Sequence, residues 1–353
     1  MATYYQGAGG NDGNAGTSWA LRFATFQQLI DTVTNADTGY TSGDSIGTMV
    51  DIDTNVGTSA APIKIMGCDS SGNPLNGDSY ATISASGSIT ALISYADETD
   101  YYLFEDIDFD GNDNATYCVV CNGGSAADAT GWQFKHCKIH DAISHGMYVY
   151  IRGGSERPWT LVDCEIYANG GQGFCSPTTV RCHINLLFNK IHHNQSHGGT
   201  LGASGSVDLT LTVMGNVFYR NGEGGAGSGL LFDGTNPTCI IMSNTFFKNA
   251  DDGLEWDDGS PFDNIVVMYN NIFHENGGYG INANGNAIEA FWLSGYNCSN
   301  GNTSGHIDIN GGTLPGYHNQ TTDPTFVSET DGSEDLTLQS GSDCIDAGKG
   351  YNG

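Results

Sequence analysis

Apolar and polar positions alternate along this chain in a motif that recurs about every 27 residues. Six copies begin at residues 137, 164, 189, 216, 244 and 271, so their starts are 27, 25, 27, 28 and 27 residues apart. The first copy reads CKIHDAISHGMYVY and the fifth reads NTFFKNADDGLEWD, and weaker copies read IDFDGN (107–112) and YNCSNG (296–301). A period of this length, built from short β-prone stretches, predicts a repeated structural unit.

Four positions recur at fixed offsets within the motif. The first position is Cys in two copies and Asn in four, the third is always Ile or Phe, and the sixth is Asn except at Ala142. The tenth position is glycine in every copy: Gly146, Gly173, Gly198, Gly225, Gly253 and Gly280. Stacked apolar, Asn and Gly columns predict a solenoid of parallel strands, in which each coil buries its apolar side chains against its neighbours. Glycine is expected to supply the positive φ angles of sharp bends.

These columns resemble the right-handed parallel β-helix family, the pectate-lyase-like fold of polysaccharide-degrading enzymes and phage tailspikes. The resemblance covers about residues 40–345 and implies an all-β, right-handed parallel β-helix with coils of about 27 residues and a short N-terminal capping helix. As a likeness of fold, it leaves function to be argued from individual sites.

The expected organisation is one continuous domain. Residues 1–39 form a Gly-rich loop and an amphipathic capping helix with Trp19, Phe23, Phe26 and Ile30 on one face. Residues 40–322 form the β-helix, and 323–353 form a C-terminal capping segment, since 323–348 resembles the closing segment of such proteins. Caps are expected because an open terminal coil exposes a strand edge.

The charge balance limits the partners. Lys and Arg number 11 against 40 Asp and Glu, giving a net charge of −29, which excludes nucleic acid and anionic membranes as partners. An acidic polysaccharide would be repelled as well unless a bound cation intervened. No apolar run of 18 residues exists, so membrane insertion is not expected.

The densest acidic stretch lies in the fifth repeat. Strand alternation after Gly253 points Leu254 inward and places Glu255 and Asp257 outward, about 7 Å apart. That separation suits an inverting glycoside hydrolase. The candidate catalytic groups are Asp252, Glu255, Asp257 and Asp258. Asn282 and Asn284 on the next coil are candidate sugar-binding amides. Two alternatives stay open: a cation site, with Ca²⁺ as the candidate ion although no cofactor is required, and a solvated turn without chemistry.

A column of rings occupies the fourth position of the motif. On parallel coils these side chains would rise along one outer face at about 4.8 Å per coil. A stack of rings on one another and a binding face for sugar or another subunit are both consistent with this pattern. The column consists of His140, Tyr167, His192, Tyr219, Phe247 and His274.

Other catalytic chemistries have weaker support. Ten cysteines are scattered through the chain, and Cys118-x-x-Cys121 has no second pair, so zinc is not expected and most thiols are predicted to be reduced core residues. A lyase would need a basic residue, and Arg152 and Arg157 are the only two close together off the strands.

The function expected from these observations is a bacteriophage virion surface component: a decoration, fibre or tailspike-like protein with a structural or host-glycan-adhesion role. The opening MATYYQGAGGNDGNAGTSWA resembles the start of many phage-encoded β-helix proteins and is not typical of a signal peptide. The expected partners are other virion subunits, including copies of the same chain in a trimer, or a host surface glycan. The expected location is the virion surface, reached after lysis. A polysaccharide-degrading hydrolase is the main alternative, and a lyase or a bacterial surface adhesin are others.

Overall fold

A computed structural model describes residues 1–53, 56–77, 79–95, 100–121, 131–149, 158–176, 182–203, 209–234, 237–257, 265–283, 292–308, 316–345 and 347–348. Within these residues the chain forms three long parallel sheets, each of which receives at most one strand from every coil. The expectation of an all-β, right-handed parallel solenoid with coils of about 27 residues is confirmed. No helix in the described part of the chain is long and apolar enough to cross a membrane.

Sheet 1 contains twelve strands in the order of the chain. These strands are β1 (Thr3–Gln6), β2 (Thr38–Thr41), β5 (Ile63–Gly67), β8 (Tyr102–Glu105), β11 (Gln133–Lys135), β14 (Trp159–Val162), β17 (Cys182–Leu187), β20 (Leu209–Met214), β23 (Pro237–Met242), β26 (Val266–Tyr269), β29 (Trp292–Gly295) and β32 (Gly316–Tyr317). Aromatic side chains stack on the inner side of sheet 1. The ring centroids of Trp159 and of Trp132, which directly precedes β11, lie 5.4 Å apart.

Sheet 2 follows sheet 1 in each coil and carries the ring column. Its ten strands are β3 (Asp44–Ile46), β6 (Ala81–Ala85), β9 (Ile107–Asp110), β12 (Lys138–His140), β15 (Glu165–Tyr167), β18 (Lys190–His192), β21 (Val217–Tyr219), β24 (Thr245–Phe247), β27 (Ile272–His274) and β30 (Cys298–Asn300). Phe218, Phe246 and Phe273 stack inside it with ring centroids 5.0 Å apart.

Sheet 3 completes each coil and carries the acidic stretch. Its ten strands are β4 (Val50–Ile52), β7 (Ile89–Tyr95), β10 (Ala115–Cys121), β13 (Met147–Tyr148), β16 (Phe174–Ser176), β19 (Gly199–Ala203), β22 (Leu230–Gly234), β25 (Leu254–Asp257), β28 (Tyr279–Asn282) and β31 (Gly305–Asp308). The remaining strands, β33 (Phe326–Ser328) and β34 (Asp335–Leu338), pair with each other in antiparallel orientation and form the C-terminal hairpin.

The N-terminal segment differs in detail from the expected loop and helix. Strand β1 pairs with β2, so sheet 1 already begins inside residues 1–39. The α-helix α1 covers only Phe26–Thr32, with Thr25 as its N-cap, and a separate 3₁₀ turn covers Trp19–Leu21. Trp19 and Phe23 therefore precede the helix rather than share its face. The chain before Thr25 is extended because Phe23 forms a β-bridge with Gln6.

Two columns of asparagines, all buried except the terminal Asn319, fix the corners of the solenoid. In the first Asn ladder, at the corner between sheets 1 and 2, each Oδ1 after that of Asn189 accepts the backbone N–H and Nδ2–H of the asparagine one coil earlier. Asn189 Oδ1 itself accepts the backbone N–H of Cys164. The second Asn ladder repeats this arrangement between sheets 2 and 3. The first ladder comprises Asn189, Asn216, Asn244, Asn271, Asn297 and Asn319, and the second comprises Asn169, Asn194, Asn221, Asn249, Asn276 and Asn302.

The glycine column has a different role from the expected one. The residues with positive φ at the second corner are mostly not glycine and lie directly before the asparagines, as in Arg220 (φ 49°) and Lys248 (φ 49°). The column glycines are required by close approach instead. A Cβ on Gly173 would lie 2.7 Å from the carbonyl oxygen of Gly198, and one on Gly198 would lie 2.5 Å from that of Gly229.

One coil departs from the sequence alignment. The sequence alignment placed Gly225 in the column with Gly198 and Gly253. The structure places Gly229 there, because the next residue, Leu230, pairs with both Gly199 and Leu254. Four additional residues are therefore accommodated between Asn221 and Gly229. Leu231 and Asp233 consequently lie beside Glu255 and Asp257, where the sequence alignment placed Gly227 and Gly229.

The C-terminal hairpin lies along the outer side of sheet 2. Arg220 forms an ion pair with Glu334, and Lys248 contacts Glu329 at 3.2 Å. Phe326 packs edge-on against Phe247, with ring centroids 5.6 Å apart. The described part of segment 323–348 therefore covers a lateral face of the solenoid.

Candidate functional site

The acidic stretch occupies the second corner of its coil and the start of β25. Leu254 and Trp256 point into the core, whereas Glu255 is half-buried and Asp257 is exposed, as strand alternation predicts. Asp251 and Asp252 precede the strand in the corner. Three residues, Asp251, Asp252 and Glu255, each place one carboxylate oxygen within 4.8 Å of the corresponding oxygens of the other two. We call these three residues the acidic cluster.

Each buried carboxylate of the acidic cluster is held by neighbouring groups. Asp252, only 2% exposed, accepts hydrogen bonds from the backbone N–H of Tyr279 at 2.5 Å and from Asn282 Nδ2 at 2.7 Å. Glu255 Oε2 accepts a hydrogen bond from Ser228 Oγ at 2.5 Å. The corner and the two adjacent coils therefore fix the directions of these carboxylates before any ligand binds.

The surroundings of the two more buried carboxyl groups of the acidic cluster, Asp252 and Glu255, favour their protonated forms. The pKa of Glu255 is raised to about 7, mainly by burial and also by the neighbouring carboxylates, while the hydrogen bond from Ser228 partly opposes this rise. Burial also raises the pKa of Asp252, against the hydrogen bonds from Asn282 and Tyr279. A proton on Glu255 or Asp252, or a cation between the carboxylates, would relieve the repulsion within the acidic cluster.

The donor set fits a hard divalent cation. All three groups offer carboxylate oxygens, the ligand type that Ca²⁺ prefers, and no imidazole or thiolate belongs to the set. The two oxygens of Asp252 each accept one hydrogen bond and retain a lone pair for a further ligand.

The other candidates from the sequence have separate outcomes. Asn282 donates a hydrogen bond to Asp252 and lies on β28 opposite Glu255 of β25, and its role in sugar binding stays a prediction. Asp257 extends the acidic face outward on β25. Asp258, Asn284, Arg152 and Arg157 lie outside the described residues, so their predicted roles stay predictions.

Two contributors to the site were missed in the sequence. Ser228, which donates to Glu255, also donates its backbone N–H to His197 Nδ1 at 2.9 Å. The four additional residues of its coil displaced Ser228 from the aligned position. His197 lies one coil earlier. The only signal for it in the sequence is its position directly before the column glycine Gly198.

The ring column is a stack with little exposed ring surface. Centroids of His140 and Tyr167 lie 4.6 Å apart, those of Tyr167 and His192 5.2 Å, and those of His192 and Tyr219 4.4 Å. The sequence predicted an outward, open stripe. The exposure is lower because acidic side chains and the C-terminal hairpin cover the rings: His140, His192, Phe247 and His274 are buried, and Tyr167 and Tyr219 are half-buried.

The histidines of the column differ in ionisation. Burial alone would lower the pKa of His140, but hydrogen bonds to Asp108 at 2.7 Å and Asp141 at 2.8 Å raise it. Burial lowers the pKa of His192, against its contact with Glu165. His140 and His192 are thus held by carboxylates of this chain, and the binding role of the ring column stays a prediction.

The hairpin over the ring column should open when its main ion pair is removed. The side chain of Glu334 is 5% exposed and forms an ion pair with Arg220, so Glu334→Ala leaves this partly buried cation with only the exposed Asp331 at 3.6 Å and the Glu329 carbonyl oxygen as partners. We expect amide hydrogens of β33 and β34 to exchange at least about tenfold faster, since 1.4 kcal/mol is a factor of ten. Asp335→Asn, at an exposed hairpin position, is the control, and equal exchange in both variants would contradict a hairpin held by this pair.

The chain is similar to one family profile and to several solved structures. The profile described as "Right handed beta helix region" matches residues 117–312. No curated protein sequence matches. Pectate lyase Pel9A is similar in structure at a TM-score of 0.70 and 16% identity, covering 100% of this chain and 92% of that one.

Two other solved structures have lower similarity. A glycoside hydrolase aligns at a TM-score of 0.57 and 10% identity, covering 83% of this chain and 96% of that one. An alginate lyase from Paenibacillus sp. str. FPU-7 aligns at 0.53 and 12%, with coverages of 90% and 99%. At sequence identities this low, the structural similarity indicates a common fold. Together with the profile match over more than half of its length, the coils, ladders and sheets described above show that this chain belongs to the right-handed β-helix family.

Proposed function

We propose that the protein is a polysaccharide-interacting β-helix protein that binds an acidic polysaccharide through a divalent cation held by the acidic cluster. The observation that carries this proposal is the convergence of the oxygens of Asp251, Asp252 and Glu255 within 4.8 Å of one another. The cation would neutralise their mutual repulsion and leave coordination positions for a sugar carboxylate.

The overall charge makes such a cation necessary for this class of ligand. At a net charge of −29, the protein repels a polyanion at every distance that salt does not screen. Two of the similar structures are, by name, lyases of pectate and of alginate, which are both anionic polysaccharides. The exposed strand positions beside the acidic cluster, such as Asp257, would then face the polymer.

Calcium binding is the direct test. Calorimetry at pH 8 should detect a Ca²⁺ site in the wild-type protein, and Asp252→Asn should weaken it at least about tenfold, because it removes one of three charged ligands. Asp335→Asn, at the hairpin, is the matched control with the same charge change. Polygalacturonate or alginate should retard the protein in affinity electrophoresis with Ca²⁺ and lose this effect with a chelator. Absence of a site below millimolar Ca²⁺, or retardation that ignores the chelator, would refute the proposal.

A second candidate is a glycoside hydrolase, favoured by the pKa of Glu255 near 7. A general acid must stay protonated near the working pH, and Asp257 lies two residues further on the same face to act as base. This function predicts reducing-end release without any divalent cation, and its loss in Glu255→Gln. Cleavage that needs Ca²⁺ would exclude it.

The role as a virion surface component is a more specific proposal. It rests on the resemblance of the opening residues to those of phage-encoded β-helix proteins and on the ring column. Adhesion through that column would require the hairpin to leave Phe247 and His274, because Phe326 packs against both rings. Detection of the chain in purified phage particles, by mass spectrometry, tests this role independently of the acidic cluster.

A further inference from the structure

Two thiols meet where the C-terminal segment returns to the last described coils. Cys298 begins β30 and is 4% exposed, whereas Cys344 follows the hairpin and is half-buried. Both line one small cavity of about 150 Å³, together with Tyr296, Asn271 and Leu338. The cavity connects the pair to the surface of the protein.

The two side chains lie beside each other on the wall of this cavity, close enough for each thiol to shift the pKa of the other. The Cys298 thiol donates to the carbonyl oxygen of Thr322 at 3.1 Å. We propose that Cys298 and Cys344 form a reversible disulfide that fastens the C-terminal segment, and with it the hairpin, to the last coils of the solenoid.

Cys344 is the attacking group of the pair. The hydrogen bond from Cys298 lowers the pKa of Cys344 to about 7, against the effect of burial, and Ser342 and Thr322 lower it further. A thiolate is the nucleophile in thiol–disulfide exchange, and a pKa near the ambient pH is optimal for it. Cys298 has a pKa far above its ordinary value, so it begins as the neutral thiol.

The reaction needs a small-molecule disulfide such as oxidised glutathione. The Cys344 thiolate attacks one sulfur of the oxidant, and one glutathione thiolate leaves. Cys298 then loses its proton and attacks the Cys344 sulfur of the mixed disulfide, which releases the second glutathione. Two protein thiols are thereby oxidised, and one glutathione disulfide is reduced to two thiols.

The chain contains an internal comparison. Cys137 and Cys164 are likewise neighbours, on adjacent coils, but both are buried in the core at 0% and 2% exposure, and their thiols donate to backbone carbonyls such as Phe104 O and Phe134 O. Burial raises the pKa of Cys137 well above its ordinary value. This pair should not react in the folded protein, because burial denies an oxidant access to either sulfur.

The proposed disulfide changes how the hairpin is held. In the reduced protein, ion pairs such as Arg220–Glu334 and Lys248–Glu329 hold it, and salt screens their exposed parts. The disulfide would close a covalent loop from 298 to 344 that contains the whole hairpin. Proteolysis within residues 323–345 should therefore accelerate with salt in the reduced protein and respond much less in the oxidised protein.

The test equilibrates the full chain at pH 8 across a series of reduced and oxidised glutathione, traps free thiols by alkylation and maps peptides by mass spectrometry. We expect a peptide linking Cys298 to Cys344, loss of both thiols from alkylation, and salt-resistant proteolysis. Cys344→Ser, at a half-buried position, should abolish all three, whereas Cys137→Ser should preserve them. Full alkylation at every ratio, glutathione retained on Cys344 without the link, or a Cys137–Cys164 bridge would overturn the proposal.

Discussion

Replacing Asn216 with Leu should destabilise the protein by at least about 3 kcal/mol, because several buried polar groups lose their partners together. Asn216 Oδ1 accepts the N–H and Nδ2–H of Asn189, both at 2.9 Å. Its Nδ2 donates to Leu186 O at 2.8 Å and to Asn244 Oδ1 at 3.0 Å. The measurement is the free energy of unfolding from urea denaturation at fixed pH.

Asn319→Leu is the matched control. It makes the same change at the end of the first Asn ladder, where the side chain is exposed and water can satisfy the groups that it leaves. We expect the cost there to stay below about 1 kcal/mol, as for surface substitutions in general. Equal costs at both positions would mean that the ladder hydrogen bonds contribute little to stability.

Replacing Glu255 with Gln should stabilise the protein at pH 8 by roughly 2–3 kcal/mol and leave its stability unchanged near pH 4. The folded-state pKa of about 7 lies above the ordinary value of 4.5. Between these two values the folded protein keeps a proton that the unfolded chain has lost. Stability of the wild type therefore falls as pH rises from about 4.5 to 7, and the loss is complete above that range.

Gln stays neutral at every pH and keeps an acceptor for Ser228, so the variant should not show this fall. The fall in stability is measured from the midpoints of urea denaturation at pH 4, 6 and 8. Asp257→Asn, at an exposed position on the same strand, is the control. Saturating Ca²⁺ should stabilise the wild type at pH 8 and affect Glu255→Gln less. A pH profile that is the same in wild type and Glu255→Gln would contradict a carboxyl that folding protonates.

The solenoid was predictable because its columns repeat. Apolar side chains at the third position and asparagines at the first and sixth identify two corners and the strand between them, and pairing such as Phe246 with Phe273 agrees with that alignment. The outward direction of Glu255 followed from strand alternation alone. The role of the column glycines was not predictable, because close approach between coils depends on atoms that are distant in sequence.

The alignment failed where the repeat changes length. In the coil that begins at Asn216, glycines occupy positions 222, 224, 225, 227 and 229. An alignment at constant spacing therefore predicted Gly225 as the column glycine, whereas the backbone pairing shows that it is Gly229. The hairpin was missed as a cover of sheet 2 for another reason. Its contacts, such as His193 with Asp331, join segments that no local pattern relates.

The four-residue expansion before Gly229 shows where this architecture tolerates variation. Strands on both sides keep their register, with Tyr219 opposite Phe247 and Leu230 opposite Leu254, so the added length costs mainly loop-closure entropy. Asp251 N–H still donates to Gly227 O within the expanded corner, beside the acidic cluster. Evolution can therefore reshape the rim of this surface by insertion at a single corner, without redesigning the core, and a protein engineer can graft a recognition loop at the same point.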